Sequence, residues 1–193
     1  SAMILTHEHP DHVGGFPLFM ERIWLAKRRR PIPVFGPAAA LDQARRIFEA
    51  FDTSGWSGMP EIEWNVVPLD ENAKVFSDHI WQVTASPGDH SVPVIAIRVE
   101  CRRGSCVTYS SDTARSDVVA RLAAATDLLV HEASGDFPGH TSIQDAAHVA
   151  RQAGAGRLVL VHLPPETSDD AIDEARASFP HLELGEDGAT YEI

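Results

Sequence analysis

No apolar run in this chain of 193 residues approaches the ~20 residues that a bilayer-spanning helix needs, so a membrane-embedded protein is not expected. No secretory signal precedes the first conspicuous motif, and there is no internal repeat, low-complexity segment or linker. Cysteine is scarce. Cys101 and Cys106 are the only two, too few for a disulfide framework. They flank the sequence RRGS at 102–105, which reads as a hairpin turn across which they could face each other. The plainer reading is two reduced thiols in a cytoplasmic protein. Positive charge is also short, with 16 Lys and Arg against 28 Asp and Glu and a net charge of −12. That argues against a protein whose main business is coating nucleic acid. The length suits one domain over residues 1–193, large enough to hide roughly 70% of its unfolded surface.

What the chain does have is histidine. There are ten, and most stand beside acids or glycines instead of in apolar stripes. Three fall in the six-residue run HEHPDH at 7–12. A short apolar stretch at 2–6 leads into it and reads as a buried strand. His7 and His9 are two apart, so in an extended backbone both imidazoles point the same way and can reach one metal. Asp11 and His12 follow where the chain turns toward Gly14 and Gly15, which can aim them at a second metal beside the first.

One cluster cannot fill two coordination spheres, since each metal takes about four to six ligands. The further candidates share a context, the end of an apolar run. His90 follows the strand expected at 80–85, Asp112 follows the strand at 106–109, and His162 ends the strongly apolar run 158–161. A lone histidine in such a place is ordinarily structural, but strand-end positions with ligand chemistry converge better on a site than on coincidence. A buried pair of divalent cations would also invert the local field whatever the net charge.

The rest of the pattern places these motifs. Helical spacing appears at 14–27 and 38–51. The first of these ends in the basic run KRRR at 27–30, most simply a solvated helix end and alternatively a phosphate-steering patch. Strands are expected at 61–67, 80–85, 94–99 and 106–109. Then helix and strand alternate: 115–125 helical, 128–131 extended, 142–153 helical, 157–161 extended, 169–179 helical. Two short strands, 181–184 and 189–192, finish the chain. Strands first and helix-strand units later suggest helices covering a mostly antiparallel sheet system.

Segments THEHPDHVGG at 6–15, FGP at 35–37, HSVP at 90–93, YSSDT at 109–113, VHEAS at 130–134, GHTS at 139–142 and LVH at 160–162 run in the order found in the metallo-β-lactamase superfamily. The chain resembles that family over essentially its whole length. The HEAS and GHTS segments point to its ribonuclease Z-like branch. The resemblance implies an α/β fold, the αββα four-layer sandwich. It implies that His7, His9 and His90 hold one metal, that Asp11, His12 and His162 hold the other, and that Asp112 bridges them. A water or hydroxide between the metals would be the nucleophile, its pKa lowered by two cations, with Asp11 steering or deprotonating it. His140 would stabilise charge on the phosphoryl group or protonate the leaving oxygen, oriented by Glu132. The ordinary reading of Glu132 and His140 is a surface acid and a helix-entry histidine. His131 reads better as a core residue, and His79, His148 and His181 as bystanders.

Three departures qualify the expectation. Family members begin with several strands, including an Asp-x-Gly turn, ahead of the first motif, and this chain carries almost nothing before His7. A first sheet truncated in this way would expose an edge and favour aggregation or a homodimer. The tRNA-processing members carry a long arm between the positions of His90 and Asp112, whereas here the interval leaves room for a hairpin alone. With the negative charge, this argues against tRNA as partner and for a small phosphoester. The family's usual Ser-Gly-Asp before the bridging acid is Ser110, Ser111 and Asp112 here. The expected activity is metal-dependent hydrolysis of a phosphodiester. The alternatives are an arylsulfatase or other ester hydrolase on the same scaffold, and a metal-binding module that is non-catalytic or incomplete. Zinc suits the histidine-rich ligation, and the aspartates leave manganese or iron open.

Overall fold

The computed structural model describes residues 1–193 and divides into two compact units, Ser1–Pro68 and Leu69–Ile193. In the first, β1 (Met3–Ile4), β2 (Ile32–Gly36) and β3 (Ile62–Val66) form a three-stranded sheet in that order, every pairing parallel. The helices α1 (Pro10–Val13), α2 (Phe16–Leu25) and α3 (Ala38–Glu49) lie in the connections. Phe16 and Met20 on α2 and Ala40, Leu41 and Ala44 on α3 pack with Leu5, Val13, Ile32 and Val34 into one apolar core. The spacing of four between Phe16 and Met20, and between Ala40 and Ala44, is what turns those helix faces inward.

The basic run after α2 is structural. Lys27 takes a left-handed backbone, φ 59°, and the amides of Lys27 and Arg28 bond back to the carbonyls of Trp24 and Ile23, the Schellman arrangement that closes a helix. The Arg28 guanidinium donates to the carbonyls of Arg30 and Pro31, and Arg29 donates to the carbonyl of Gly58. Two of the four cations are thus spent on backbone oxygens, which favours the helix-end reading of the run.

The second unit is built on a seven-stranded sheet of order β10-β9-β8-β7-β6-β5-β4. Its strands are β4 (Ala73–Ser77), β5 (Trp81–Pro87), β6 (Ile95–Cys101), β7 (Cys106–Tyr109), β8 (Leu128–Glu132), β9 (Arg157–Val161) and β10 (Leu182–Leu184). From β4 to β7 the sheet is an antiparallel meander, and from β7 to β10 it is parallel. The helices α4 (Asp117–Leu122), α5 (Ile143–Ala153) and α6 (Asp169–Ser178) make the crossovers that parallel strands require. The side-chain hydroxyls of Ser116 and Ser142 cap α4 and α5 by accepting from the amides of Val119 and Asp145. The core joins Leu129, Leu158 and Leu160 of the sheet to Ala146, Ala147, Val149 and Ala150 of α5 and to Ile172 and Ala175 of α6. No helix is long and apolar enough to cross a membrane.

Several expectations need correction. The sheets are not mostly antiparallel: the first is wholly parallel and the second changes sense at β7. β4 was not foreseen, and residues 189–192 form no strand. The opening strand is shorter than its apolar run, because only Met3 and Ile4 pair with β2. The two cysteines do not face each other. Glu100 is the partner of Cys106 in the β6–β7 ladder, so Cys101, one residue on, points to the opposite face. Both thiols are free, and burial pushes that of Cys106 up.

Candidate metal centre

In the first unit the chain leaves β1 and runs through Leu5, Thr6 and His7, all buried, before His9 stands at the position just ahead of the short helix α1. Pro10 at the first helical position fits there because its missing N–H would have no intrahelical partner anyway. The effect is to gather three imidazoles. The ring of His7, fully buried, lies 4.8 Å from that of His9 and 3.9 Å from that of His12, centroid to centroid. The Asp11 carboxylate lies 3.4 Å from His12 Nε2, with its own side chain mostly exposed. The expected four donors of the first motif are thus together.

In the second unit the expected donors stand at or just beyond strand ends. His90 comes three residues after β5, Asp112 three residues after β7, and His162 directly after β9. The Asp112 side chain is only 3% exposed, and its Oδ1 lies 3.6 Å from His162 Nδ1. One donor atom of His90 and one of Asp112 lie within 4.8 Å of each other. His90 Nδ1 sits 2.7 Å from the carbonyl oxygen of Gly139. That partner requires Nδ1–H and leaves Nε2 as the donor. Gly139 makes the approach possible, since a Cβ there would come within 2.9 Å of His90 Nδ1, and φ is +84°.

Two of the chain's five non-glycine residues with positive φ are Ser111 and His162, both at 54°. Each turns the backbone sharply where a strand ends. Strain of this kind, of order 1–3 kcal/mol per residue, collects at functional sites.

Glu132 ends β8, fully buried, and its carboxylate is covered by donors. Oε1 accepts from the amide of Thr113 at 3.1 Å and lies 3.0 Å from His140 Nδ1. Oε2 accepts from the amide of Ser134 at 2.8 Å and from its hydroxyl. The Ser134 hydroxyl oxygen is also 2.9 Å from His140 Nδ1 and 3.1 Å from His162 Nδ1. Glu132, His140 and His162 bring one donor atom each within 4.8 Å of the others. Neither Glu132 nor His140 is therefore the exposed bystander of the ordinary reading. The exposed ring of Phe137 lies 4.5 Å from that of His140.

Sequence reasoning gave no role to Ser134, to the Gly139 carbonyl or to the Thr113 amide. Ser134 sits inside a recognisable segment, which was the one signal available. Backbone groups leave none. His79 stands on the surface loop ahead of β5, and His148 is held between Arg115 and Arg151. His131 lies in β8, wholly buried, its Nδ1 on the Glu132 carbonyl and its Nε2 without a partner. Burial holds its pKa below the usual imidazole value, against the opposing pull of that carbonyl and the Glu132 charge.

A family model described as a beta-lactamase superfamily domain matches residues 1–163. The chain is 25% identical to a ribonuclease Z of Methanothermobacter thermautotrophicus, covering 99% of this chain and 79% of the relative. It is 27% identical to a putative ribonuclease Z of Mycobacterium tuberculosis, covering 91% and 89%. The archaeal alignment runs over 248 positions, more than this chain possesses, so that relative carries insertions absent here. Human tRNase Z, short form, superposes with a TM-score of 0.79 at 25% identity, over all of this chain and 78% of the other. The chain belongs to the metallo-β-lactamase superfamily of hydrolases, is similar within it to proteins named ribonuclease Z, and has that superfamily's fold and groups of histidine and carboxylate side chains that could hold metal.

Proposed function

We propose that this chain is a binuclear metal-dependent hydrolase of phosphodiesters. His7, His9 and His90 would hold one cation, Asp11, His12 and His162 the other, and Asp112 would bridge them. The donor chemistry fits divalent ions of the zinc type. Two imidazoles gathered around a third that is fully buried, and a buried carboxylate beside another imidazole, are arrangements that desolvation makes costly unless something positive is shared. The family model spans both donor sets.

Two such cations would polarise the phosphoryl oxygens and make a bound water acidic enough to attack near neutral pH. The chain's own groups do the rest. Asp11, mostly exposed beside His12, would take the proton that the attacking water loses. His140 gives a proton to the leaving oxygen as its bond to phosphorus breaks. Glu132 holds His140 through Nδ1, so Nε2 is the atom offered to substrate. The single observation that carries the reading is this pair: a fully buried carboxylate 3.0 Å from an imidazole that also neighbours His162. Simple metal storage has no use for it.

The names of the relatives favour a second reading, maturation of tRNA. The net charge of −12 weighs against it. So does the interval from His90 to Asp112, which the β6–β7 hairpin fills. A small phosphodiester is the better fit.

Purified protein supplied with zinc or manganese should hydrolyse bis(4-nitrophenyl) phosphate. His140→Ala should lower kcat by roughly 10²–10⁴-fold, the usual worth of a positioned acid, while binding as much metal as wild type. A panel of phosphodiesters, aryl sulfates, carboxylic esters and a tRNA precursor separates the alternatives. Turnover of sulfate or carboxylic esters alone would replace the substrate class, cleavage of the precursor would restore the tRNA reading, and metal binding without turnover of anything would leave a binding module.

A further inference from the structure

Ser134 owes its position to backbone bonds. The amide of Ala133 donates to the carbonyl of Val161, which keeps the chain beside β9 after β8 has ended. Gly135, at φ +139°, then turns the chain away, and its amide donates to the carbonyl of Thr141. Residues 134–141 therefore form a closed loop whose two ends carry Ser134 and His140. Ser134 is left between the end of β8, which bears Glu132, and the end of β9, which bears His162.

The hydroxyl has one hydrogen, and its neighbours decide where that hydrogen goes. Backbone amides can only donate, and one amide already sits on each oxygen of Glu132. The carboxylate is thus an acceptor to its surroundings, and the Ser134 hydroxyl donates to it. With its hydrogen committed, Ser134 Oγ can only accept. The atoms facing it are His140 Nδ1 and His162 Nδ1, at 2.9 and 3.1 Å. A bare nitrogen in either place would set lone pair against lone pair. The His162 Nδ1 to Asp112 Oδ1 distance is longer, 3.6 Å, so of these two oxygens Ser134 Oγ is the better placed acceptor.

We propose that Ser134 is a positioning residue whose single hydroxyl keeps Nδ1 of both His162 and His140 protonated. Nε2 of His162 is then left bare for a metal, while Nε2 of His140, which carries the second proton when that residue acts as the acid, faces the leaving group. The inference rests on the roles given to these two histidines above. A partner on the far nitrogen is the usual way of fixing a metal-binding imidazole; here one side chain serves a proposed ligand and a proposed acid at once. Ser134 is not a nucleophile in a triad. In a triad the serine and the acid bond opposite nitrogens of the histidine, whereas Ser134 and Glu132 both face His140 Nδ1.

The test uses the whole chain with Ser134→Ala, Ser134→Thr and Ser134→Cys. Nitrogen NMR of the imidazoles in metal-free protein reads the tautomers, and competition with a chelator reads zinc affinity. In Ser134→Ala, His162 should lose its preference for Nδ1–H, and zinc should bind roughly 10–100-fold more weakly, the usual effect of removing such a partner. Ser134→Thr, which keeps the hydroxyl, should restore both. Ser134→Cys, nearly isosteric but a poorer acceptor, should fall between and serves if the alanine variant does not fold. Wild-type tautomers and zinc affinity in the alanine or cysteine variant would overturn the proposal. Neither readout needs turnover. A wild-type protein inactive on every phosphodiester would defeat the functional reading and leave this result standing.

Discussion

Ser111 stands at φ 54° in the turn that delivers Asp112, with its hydroxyl buried and without a hydrogen-bond partner. Both features cost. The left-handed region costs a residue with a Cβ about 1–2 kcal/mol, and a buried hydroxyl left unbonded costs about 1–3 kcal/mol. Against this, glycine loses roughly 0.5–1 kcal/mol more backbone entropy on folding. The balance favours glycine, the residue that the family resemblance leads one to expect there. Ser111→Gly should raise stability by on the order of 1 kcal/mol, or about 2–4 °C in Tm for a chain of this length. Thermal unfolding followed by circular dichroism checks it. A lower Tm would mean that the serine has a partner worth more than its strain. The sequence marked this position as a departure from the family pattern, but not its cost, because backbone conformation and burial are settled only by the turn in three dimensions.

Among the elements, β8 concentrates the consequences. Its two fully buried titratable side chains, His131 and Glu132, project to opposite faces as neighbours in a strand must. Glu132 meets the candidate site, and His131 meets the interior. Since the pKa of His131 is lowered in the folded state, the unfolded chain binds this proton more tightly. The stability it supports is present above the unfolded value near 6.5 and is lost as pH falls toward the folded value, by at most about 1.4 kcal/mol per pH unit. Urea midpoints measured with chelator between pH 7.5 and 5.5 should fall for wild type and fall less steeply for His131→Phe. Equal slopes would show that another group carries the acid sensitivity. β8 was legible because the apolar run Leu128, Leu129 and Val130 opens it, and α5 because a serine cap and a glycine stop bracket an amphipathic run. β4 was hidden because Lys74 interrupts a short run on the edge of the sheet, and the change from antiparallel to parallel pairing at β7 is a long-range choice with no local mark. The donor residues were legible for the opposite reason: His and Asp at strand ends are chemically conspicuous wherever the strands go. What holds them in place, a serine hydroxyl, a glycine carbonyl and an amide, is not.

At the scale of the whole molecule, the question is whether one set of ions needs both units. The donors at 7–12 belong to the first compact unit, and His90, Asp112 and His162 belong to the second. An ion that binds the folded donors and not the unfolded chain stabilises by RT ln(1 + [L]/Kd), about 2.7 kcal/mol at a hundredfold excess over Kd. For this length that corresponds to about 5–10 °C in Tm. Zinc added to chelator-treated protein should produce a shift of this size. If the centre is shared, removing all the ligands of either unit should abolish most of the gain, so the protein with His7, His9, Asp11 and His12 all replaced by alanine should behave like Asp112→Ala. If the units bind metal separately, the fourfold variant should keep the part of the shift owed to the second unit. Scanning calorimetry of wild type and the two variants with and without zinc decides between these outcomes, and a metal-dependent shift surviving in the fourfold variant would dissolve the shared centre on which the proposed chemistry depends.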